Sequence, residues 1–350
     1  MPSENASIEI RELYKIFGPT PEKCVALVRN GVSKADLGRE HGHILGLDNI
    51  SISMPAGKIQ VIMGLSGSGK STLIRHINRL IEPTSGSVIV DGRDVLEMSE
   101  LELREFRRNR TAMVFQRFAL LPHRSVMDNV IFGLEVRGME RAKSREIGMR
   151  WIERVGLHGF DTRYPHELSG GMQQRVGLAR ALTNDASILL MDEAYSALDP
   201  LIRTDMQGML LDLQKELNKT IVFITHDLDE ALRIGDRIVI LRDGSIVQQG
   251  DSQDILLKPA DDYIARFVKD VNRGRFLKVG AVMKPLTQSE TGSLPRLDFD
   301  TTLETAAKRL ADSPSDEAVV TGDGGRPVGY INLRQITSAL STAAEAKPDE

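Results

Sequence analysis

The chain has 350 residues, 41% of them hydrophobic and 27% charged, and a net charge of −4. That leaves room for two domains, one of them large, with the balance of an ordinary globular protein and no basic field to draw it onto nucleic acid. A single cysteine, Cys24, excludes an intramolecular disulfide and suits a reducing compartment. No run approaches the roughly 18 apolar residues of a spanning helix, and Met1-Pro2-Ser3-Glu4-Asn5 lacks the basic start of a secretion signal.

In chain order, Ile8–Phe17 alternates as a strand, ended by Gly18, Pro19 and Pro21. A polar, helix-like segment follows to about Gly42, with Ser33-Lys34-Ala35-Asp36 as a helix start. Leu45–Met54 and Lys58–Met63 read as strands, Thr72–Leu80 as a helix and Ser85–Val90 as a strand. Leu101–Arg110 is a charged helix, Thr111–Gln116 a buried strand, and Met127–Val136 and Lys143–Val155 are helices. The apolar runs Ser187–Asp192 and Thr220–His226 suit parallel strands covered on both faces. Asp243-Gly244 predicts a hairpin turn. Beyond about Asp270 a β-α-β-β-α piece is expected, with helices near Leu303–Leu310 and Leu333–Leu340 around strands Glu317–Thr321 and Gly329–Ile331.

The chemistry centres on Gly64-Leu65-Ser66-Gly67-Ser68-Gly69-Lys70-Ser71-Thr72, which fits the phosphate-loop pattern G-x-x-x-x-G-K-[ST] between a strand and a helix. Glycines let backbone N–H groups turn inward around phosphate, and the helix N-terminus adds its positive dipole end. Lys70 would reach the β and γ phosphates of ATP, and Ser71 would offer its hydroxyl to Mg²⁺. Asp192-Glu193 ends an apolar strand, where open α/β sheets bind ligands. Asp192 is placed to hold Mg²⁺ through water, and Glu193 to orient or deprotonate the attacking water.

Leu168-Ser169-Gly170-Gly171-Met172 resembles the Leu-Ser-Gly-Gly-Gln signature of the ATP-binding cassette family, departing from it at Met172. The resemblance implies an α/β fold: a P-loop ATPase domain with a mostly parallel sheet, an antiparallel β subdomain and a helical subdomain. It implies that Ser169, Gly170 and Gly171 serve the γ-phosphate held by a second copy, so that two cassettes sandwich two ATPs. Gln116 matches the glutamine that touches Mg²⁺ and the attacking water. Asp199, in Ser196-Ala197-Leu198-Asp199, matches the loop crossing the dimer interface, and His226 matches the switch histidine on the γ-phosphate. Phe17 lies where the family stacks an aromatic on adenine, with Tyr14 as its rival.

Leu13–Gly18, the insertion Pro19–His43, Ala119-Leu120-Leu121-Pro122-His123 and Ile224–Ala231 narrow the likeness to the ATPase subunits of glycine betaine/proline (quaternary amine) importers. This implies a membrane permease as partner, a substrate-binding protein indirectly, and a place at the cytoplasmic face of the membrane. An importer of another solute, such as an amino acid, and a soluble cassette acting on DNA or ribosomes stand as alternatives. Asp300–Leu340 resembles one cystathionine-β-synthase-type (CBS) module. The expected plan is therefore a nucleotide-binding domain at 1–270 with its helical subdomain near 117–168, a linker at 271–295, a single CBS-like module at 296–342 and a disordered tail at 343–350.

Overall fold

The computed structural model describes residues 6–116, 118–286 and 294–341. Arg117, most of the polar stretch before Pro295 and the tail at 343–350 lie outside the described residues. The chain divides into two compact units, Met1–Val247 and Gln248–Glu350.

In the first unit, β1 (Ile8–Phe17) buries Ile8, Ile10, Leu13 and Ile16. The insertion after it forms α1 (Pro21–Arg29) and α2 (Lys34–His41). Ser33 opens α2 as its sequence predicts, accepting the Asp36 N–H at 3.1 Å. β2 (Ile44–Met54) returns antiparallel to β1. β3 (Ile59–Met63) is buried at every residue and leads through the glycine loop into α3 (Lys70–Ile77). That helix starts two residues before the predicted Thr72, because Gly69 at φ 100° supplies the turn into it, and stops short of Leu80, where Arg79 is left-handed at φ 51°. β4 (Ser85–Val90) and the short β5 (Arg93–Asp94) complete an antiparallel sheet of order β2-β1-β4-β5.

A Ser99/Glu102 capping box starts α4 (Glu100–Asn109). β6 (Thr111–Val114) ends two residues short of the prediction, which frees Phe115 and Gln116 from the sheet. Next come α5 (Val126–Val130), α6 (Phe132–Val136), α7 (Arg141–Arg154) and α8 (Gly170–Thr183). The single helix predicted over Met127–Val136 is thus two, meeting at Ile131. The second seats Gly133 against the Asn184 amide, where a Cβ would lie 2.0 Å from its oxygen. Val126, Val130, Ile152, Leu157 and Val176 form this region's own apolar core.

β7 (Ile188–Asp192), α9 (Pro200–Leu217), β8 (Thr220–Thr225), α10 (Leu228–Ile234), β9 (Arg237–Arg242) and β10 (Ser245–Gly250) finish the main sheet. Its order is β10-β9-β3-β8-β7-β6, and β9, β3, β8, β7 and β6 run parallel. Asp243 and Gly244, at φ 52° and 93°, make the predicted turn. Leu73, Ile74 and Ile77 of α3 share one core with Leu190, Val222, Ile224 and Val239 of the sheet. Each such side chain contributes about 1.5–3 kcal/mol by leaving water, which anchors the phosphate loop at both ends.

The second unit holds α11 (Ser252–Leu257), α12 (Asp262–Lys269), α13 (Val279–Val282), β11 (Lys284–Pro285), β12 (Arg296–Asp298), α14 (Leu303–Ala311), β13 (Glu317–Thr321), β14 (Pro327–Asn332) and α15 (Leu333–Ser341). Its sheet order is β11-β14-β13-β12, with β12 and β13 parallel and β13 and β14 antiparallel. β12-α14-β13-β14-α15 is the β-α-β-β-α order read from the sequence. The stretch expected as a linker differs: it includes α13 and β11, and the compact division falls after Val247 rather than near Asp270. The physical reason lies in Gln253, whose amide donates to Phe276 O at 3.0 Å and accepts the Lys278 N–H at 2.9 Å. Those bonds tie α11 to the segment read as linker, where Arg273 and Val279 are buried.

Candidate functional site

Strand register brings the predicted residues together. Met63 of β3 lies opposite Thr225 of β8, Asp192 of β7 opposite Ile224, and Val114 of β6 opposite Met191. Gly64, Glu193, His226 and Gln116 therefore leave adjacent strands at one carboxyl edge.

The glycine loop is held open by its own backbone. Gly67 has φ 79°, with nothing within 4 Å of a would-be Cβ. Gly69 has φ 100°, and a Cβ there would lie 2.7 Å from Gly46 O. Lys70 is buried, and its Nζ donates to Gly64 O at 2.7 Å and Leu65 O at 3.0 Å. No side chain caps α3, so its first-turn N–H groups are left for a ligand. The Ser68 hydroxyl is buried without a partner. An uncapped helix start, an orphan hydroxyl and a buried ammonium around an open loop fit a phosphate chain.

Asp192 and Glu193 hold different partners. The Ser71 hydroxyl donates to Asp192 Oδ1 at 2.7 Å, and Arg75 Nη2 lies 3.4 Å from Oδ2. A hydroxyl and a carboxylate are the hard oxygen donors that magnesium takes. Among the described residues no cluster of three His, Cys, Asp or Glu could hold a metal alone, so phosphate and water would complete such a site. Glu193 sits at φ 46°, a left-handed conformation costing a non-glycine residue about 1–2 kcal/mol. Its N–H is held by Ile224 O at 3.2 Å. Its carboxylate accepts from Gln116 Nε2 at 3.2 Å and lies 3.5 Å from His226 Nδ1 and 3.4 Å from Lys70 Nζ. One carboxylate thus gathers the three groups that the sequence placed on separate segments. Deeper in, burial raises the Glu230 carboxyl against the opposing hydrogen bonds from Thr225 and Gln207.

The remaining predicted residues have partners of their own or lie exposed. Exposed Ser169 accepts the Met172 N–H at 3.3 Å and opens α8, beside exposed Gly170. Gly171 packs on α9, since a Cβ there would lie 2.7 Å from Ile202 Cγ2. Asp199 opens α9 by accepting the Ile202 N–H at 3.0 Å. Ser66 is exposed at the loop tip, and Thr72 O accepts from His76 Nδ1 at 2.6 Å. The two aromatic candidates separate by burial. Tyr14 packs in a core with Cys24 and Val28, whereas the Phe17 ring is 40% exposed, lies against Gly46 and has Lys15 Nζ 5.0 Å from its centre.

Sequence reading assigned no site role to Arg75, only a turn to Gly244 and only a place in the interface loop to Ser196. Arg75 was legible, because four residues after Ser71 on a helix it shares that face. Ser196 takes a 3.4 Å contact from Gln116 Nε2, and Gly244 N–H donates to Ser68 O at 3.2 Å. Both depend on strand register, which no local pattern states.

Residues 47–196 match the family model for ABC transporters. The glycine betaine transport ATP-binding protein OpuAA of Bacillus subtilis is 52% identical over 277 residues, 79% of this chain and 66% of that protein. The glycine betaine/proline betaine transport system ATP-binding protein ProV of Escherichia coli is 46% identical over 334 residues, 95% of this chain and 82% of that protein. Among solved structures, the ATP-binding cassette MJ0796, in a dimeric post-hydrolysis state bound to ADP and Pi, aligns at a TM-score of 0.60 and 30% identity, covering 70% of this chain and 98% of its own. The phosphate loop, the strand-end carboxylates and these likenesses together show that the chain belongs to the ABC transporters, as one of their ATP-hydrolysing ATP-binding subunits.

Proposed function

We propose that this chain powers the uptake of glycine betaine and related quaternary amines through a membrane permease, fed by a substrate-binding protein. The observation that carries its chemistry is the convergence of Gln116, His226 and Lys70 on Glu193. Lys70 would give up its loop carbonyls for the β and γ phosphates, and Glu193 would orient the attacking water and accept its proton. His226, already beside Glu193, would meet the γ-phosphate, and Phe17 would stack on adenine. Mg²⁺, held through Ser71, Asp192 and Gln116, would neutralise charge on the phosphates. Positioning and electrostatics then supply most of the catalysis.

Ser169, Gly170, Gly171 and Asp199 are exposed or half-exposed at the starts of α8 and α9. That supports a sandwich dimer in which each copy completes the site of the other. Beside the Gln116 loop, a groove of about 350 Å³ is lined by Phe115, Phe132, Arg107, Arg108, Arg137 and Arg180. An apolar floor with a guanidinium rim suits a short acidic helix of the permease. Among the described residues no helix is long and apolar enough to cross a membrane. A peripheral place on the cytoplasmic face, through the permease, accords with that. The β-α-β-β-α order of residues 296–341 supports the CBS-like reading of the tail, which would act on the transporter in response to ionic strength or a nucleotide.

The test is uptake of labelled glycine betaine and choline by cells with and without the chain, at low and high osmolarity. Loss of uptake on deletion is expected. Unchanged uptake of both would overturn the quaternary amine assignment and leave the ATPase chemistry standing.

A further inference from the structure

Arg203 joins two parts of the site, at Leu198 and Asp227, that lie far apart along the chain. Its Nη1 donates to Asp227 Oδ2 at 3.0 Å, and its Nη2 donates to Leu198 O at 3.3 Å. Leu198 belongs to the loop that follows Glu193; Asp227 directly follows His226. Asp227 is itself fixed, because its other oxygen accepts the Glu230 N–H at 3.1 Å and its own N–H goes to Thr225 Oγ1 at 2.9 Å. One turn further along α9, Gln207 Nε2 donates to Glu230 Oε1 at 3.0 Å, and Arg233 Nη1 donates to Gln207 Oε1 at 3.0 Å. Two successive rungs therefore bind α9 to α10.

The contacts close into a ring. Ser196 Oγ donates to Glu193 O at 3.0 Å, Arg203 carries the connection from Leu198 to Asp227, and His226 returns to Glu193 at 3.5 Å. A guanidinium is a rigid planar fork, so it sets the separation of two acceptors where a lysine ammonium would serve as a single point charge. The fork is kept although Arg203 Nε is buried without an acceptor, an arrangement with a cost of its own. Beside it, Ile202 packs against Gly171 at the start of α8.

We infer that Arg203 is a positioning residue for hydrolysis, tying the loop Ser196–Asp199 to His226 so that movement of one is delivered to the other. This rests on the reading of Glu193 and His226 as the groups that act at the γ-phosphate. A displacement of about 1 Å at a reacting group costs on the order of 10²-fold in rate, so a slack ring should show in turnover rather than in ATP binding.

The test uses the full-length chain, measuring single-turnover hydrolysis, ATP affinity and melting temperature for Arg203→Met, Asp227→Asn, their combination, Arg203→Lys and His226→Ala. Arg203→Met and Asp227→Asn should each lower the hydrolysis rate by about tenfold or more, with ATP affinity within about twofold. The combination should be no worse than the poorer single variant. Arg203→Lys, which keeps the charge and loses the fork, should not restore the rate; it also serves if methionine at 203 prevents folding. A full rate in Arg203→Met while His226→Ala is inactive would overturn the bridge, as would additive losses or a loss confined to ATP affinity. A full rate in His226→Ala would overturn the catalytic reading beneath it.

Discussion

The carboxyl edge of the six-stranded sheet and the small sheet of the second unit treat their polar groups in opposite ways. At the large sheet, side chains bond across long sequence distances: Ser71 to Asp192, Gln116 to Glu193, His226 to Glu193. Even so, Ser68 Oγ keeps no partner, and α3 keeps no cap. In the small sheet the polar groups are settled nearby. Asn332 and Gln335 exchange side chain-to-backbone bonds at 2.8 and 2.9 Å, and the Glu317 N–H donates to Ser315 Oγ at 3.2 Å. Groups that are assembled at a distance and still left wanting partners are what a ligand answers. Groups that satisfy one another locally hold a fold together.

The sharpest way to break this contrast is at Glu193. Glu193→Gln should retain ATP and lower kcat by roughly 10³-fold, since it removes a base and keeps the shape. An ATP-bound dimer should then accumulate on a sizing column; an active, monomeric variant would end the argument. Next comes Lys70→Ala, expected to weaken ATP binding by about 10²-fold or more, because no neighbour replaces that point charge. Calorimetric titration with ATP checks it, and unchanged affinity would remove Lys70 from the site.

Acid offers a third test, directed at the helix behind the loop. Burial, with a smaller push from Lys15, depresses the His76 pKa to about 4, so the ring is neutral in the folded state. The unfolded chain takes up that proton below about 6.5, so the contribution is complete above that pH and is lost as pH falls towards 4. Up to about 3 kcal/mol should go over that range, and His76→Gln should flatten this part of a denaturant-derived stability profile. Phe17→Ala should raise the ATP Kd by about tenfold, in keeping with roughly 1–3 kcal/mol for an aromatic stacked on a base. Tyr14→Phe should leave it unchanged. The smallest effect is expected at Asn332→Ala, which should cost the second unit about 1 kcal/mol through a lost cap and leave ATP affinity alone.

Much of the site was legible before any coordinates. The phosphate loop, the strand-ending Asp192-Glu193, the helix start at Ser169 and the turn at Asp243-Gly244 are short-range patterns whose geometry follows from a few adjacent residues. The β-α-β-β-α order of the tail was legible for the same reason, since alternating and helical periods announce themselves locally. What stayed hidden depends on distant partners. Residues near 273–285 look like a linker because they lack a strong period, yet Gln253 fastens them into the second unit. Arg203 reads as one more charge on a helix, and only the pairing of β7 with β8 brings Asp227 to it.

Sequence alone determined which chemistry this chain could hold: a glycine pattern that bends the backbone round phosphate, and acids placed at a strand end. Tertiary structure alone decided which groups meet. It buried Tyr14 and left Phe17 to solvent, gathered Gln116, His226 and Lys70 on one carboxylate, and left the Ser68 hydroxyl unpartnered. Local patterns record backbone preference, whereas the register of parallel strands is set by burial summed over the whole sheet.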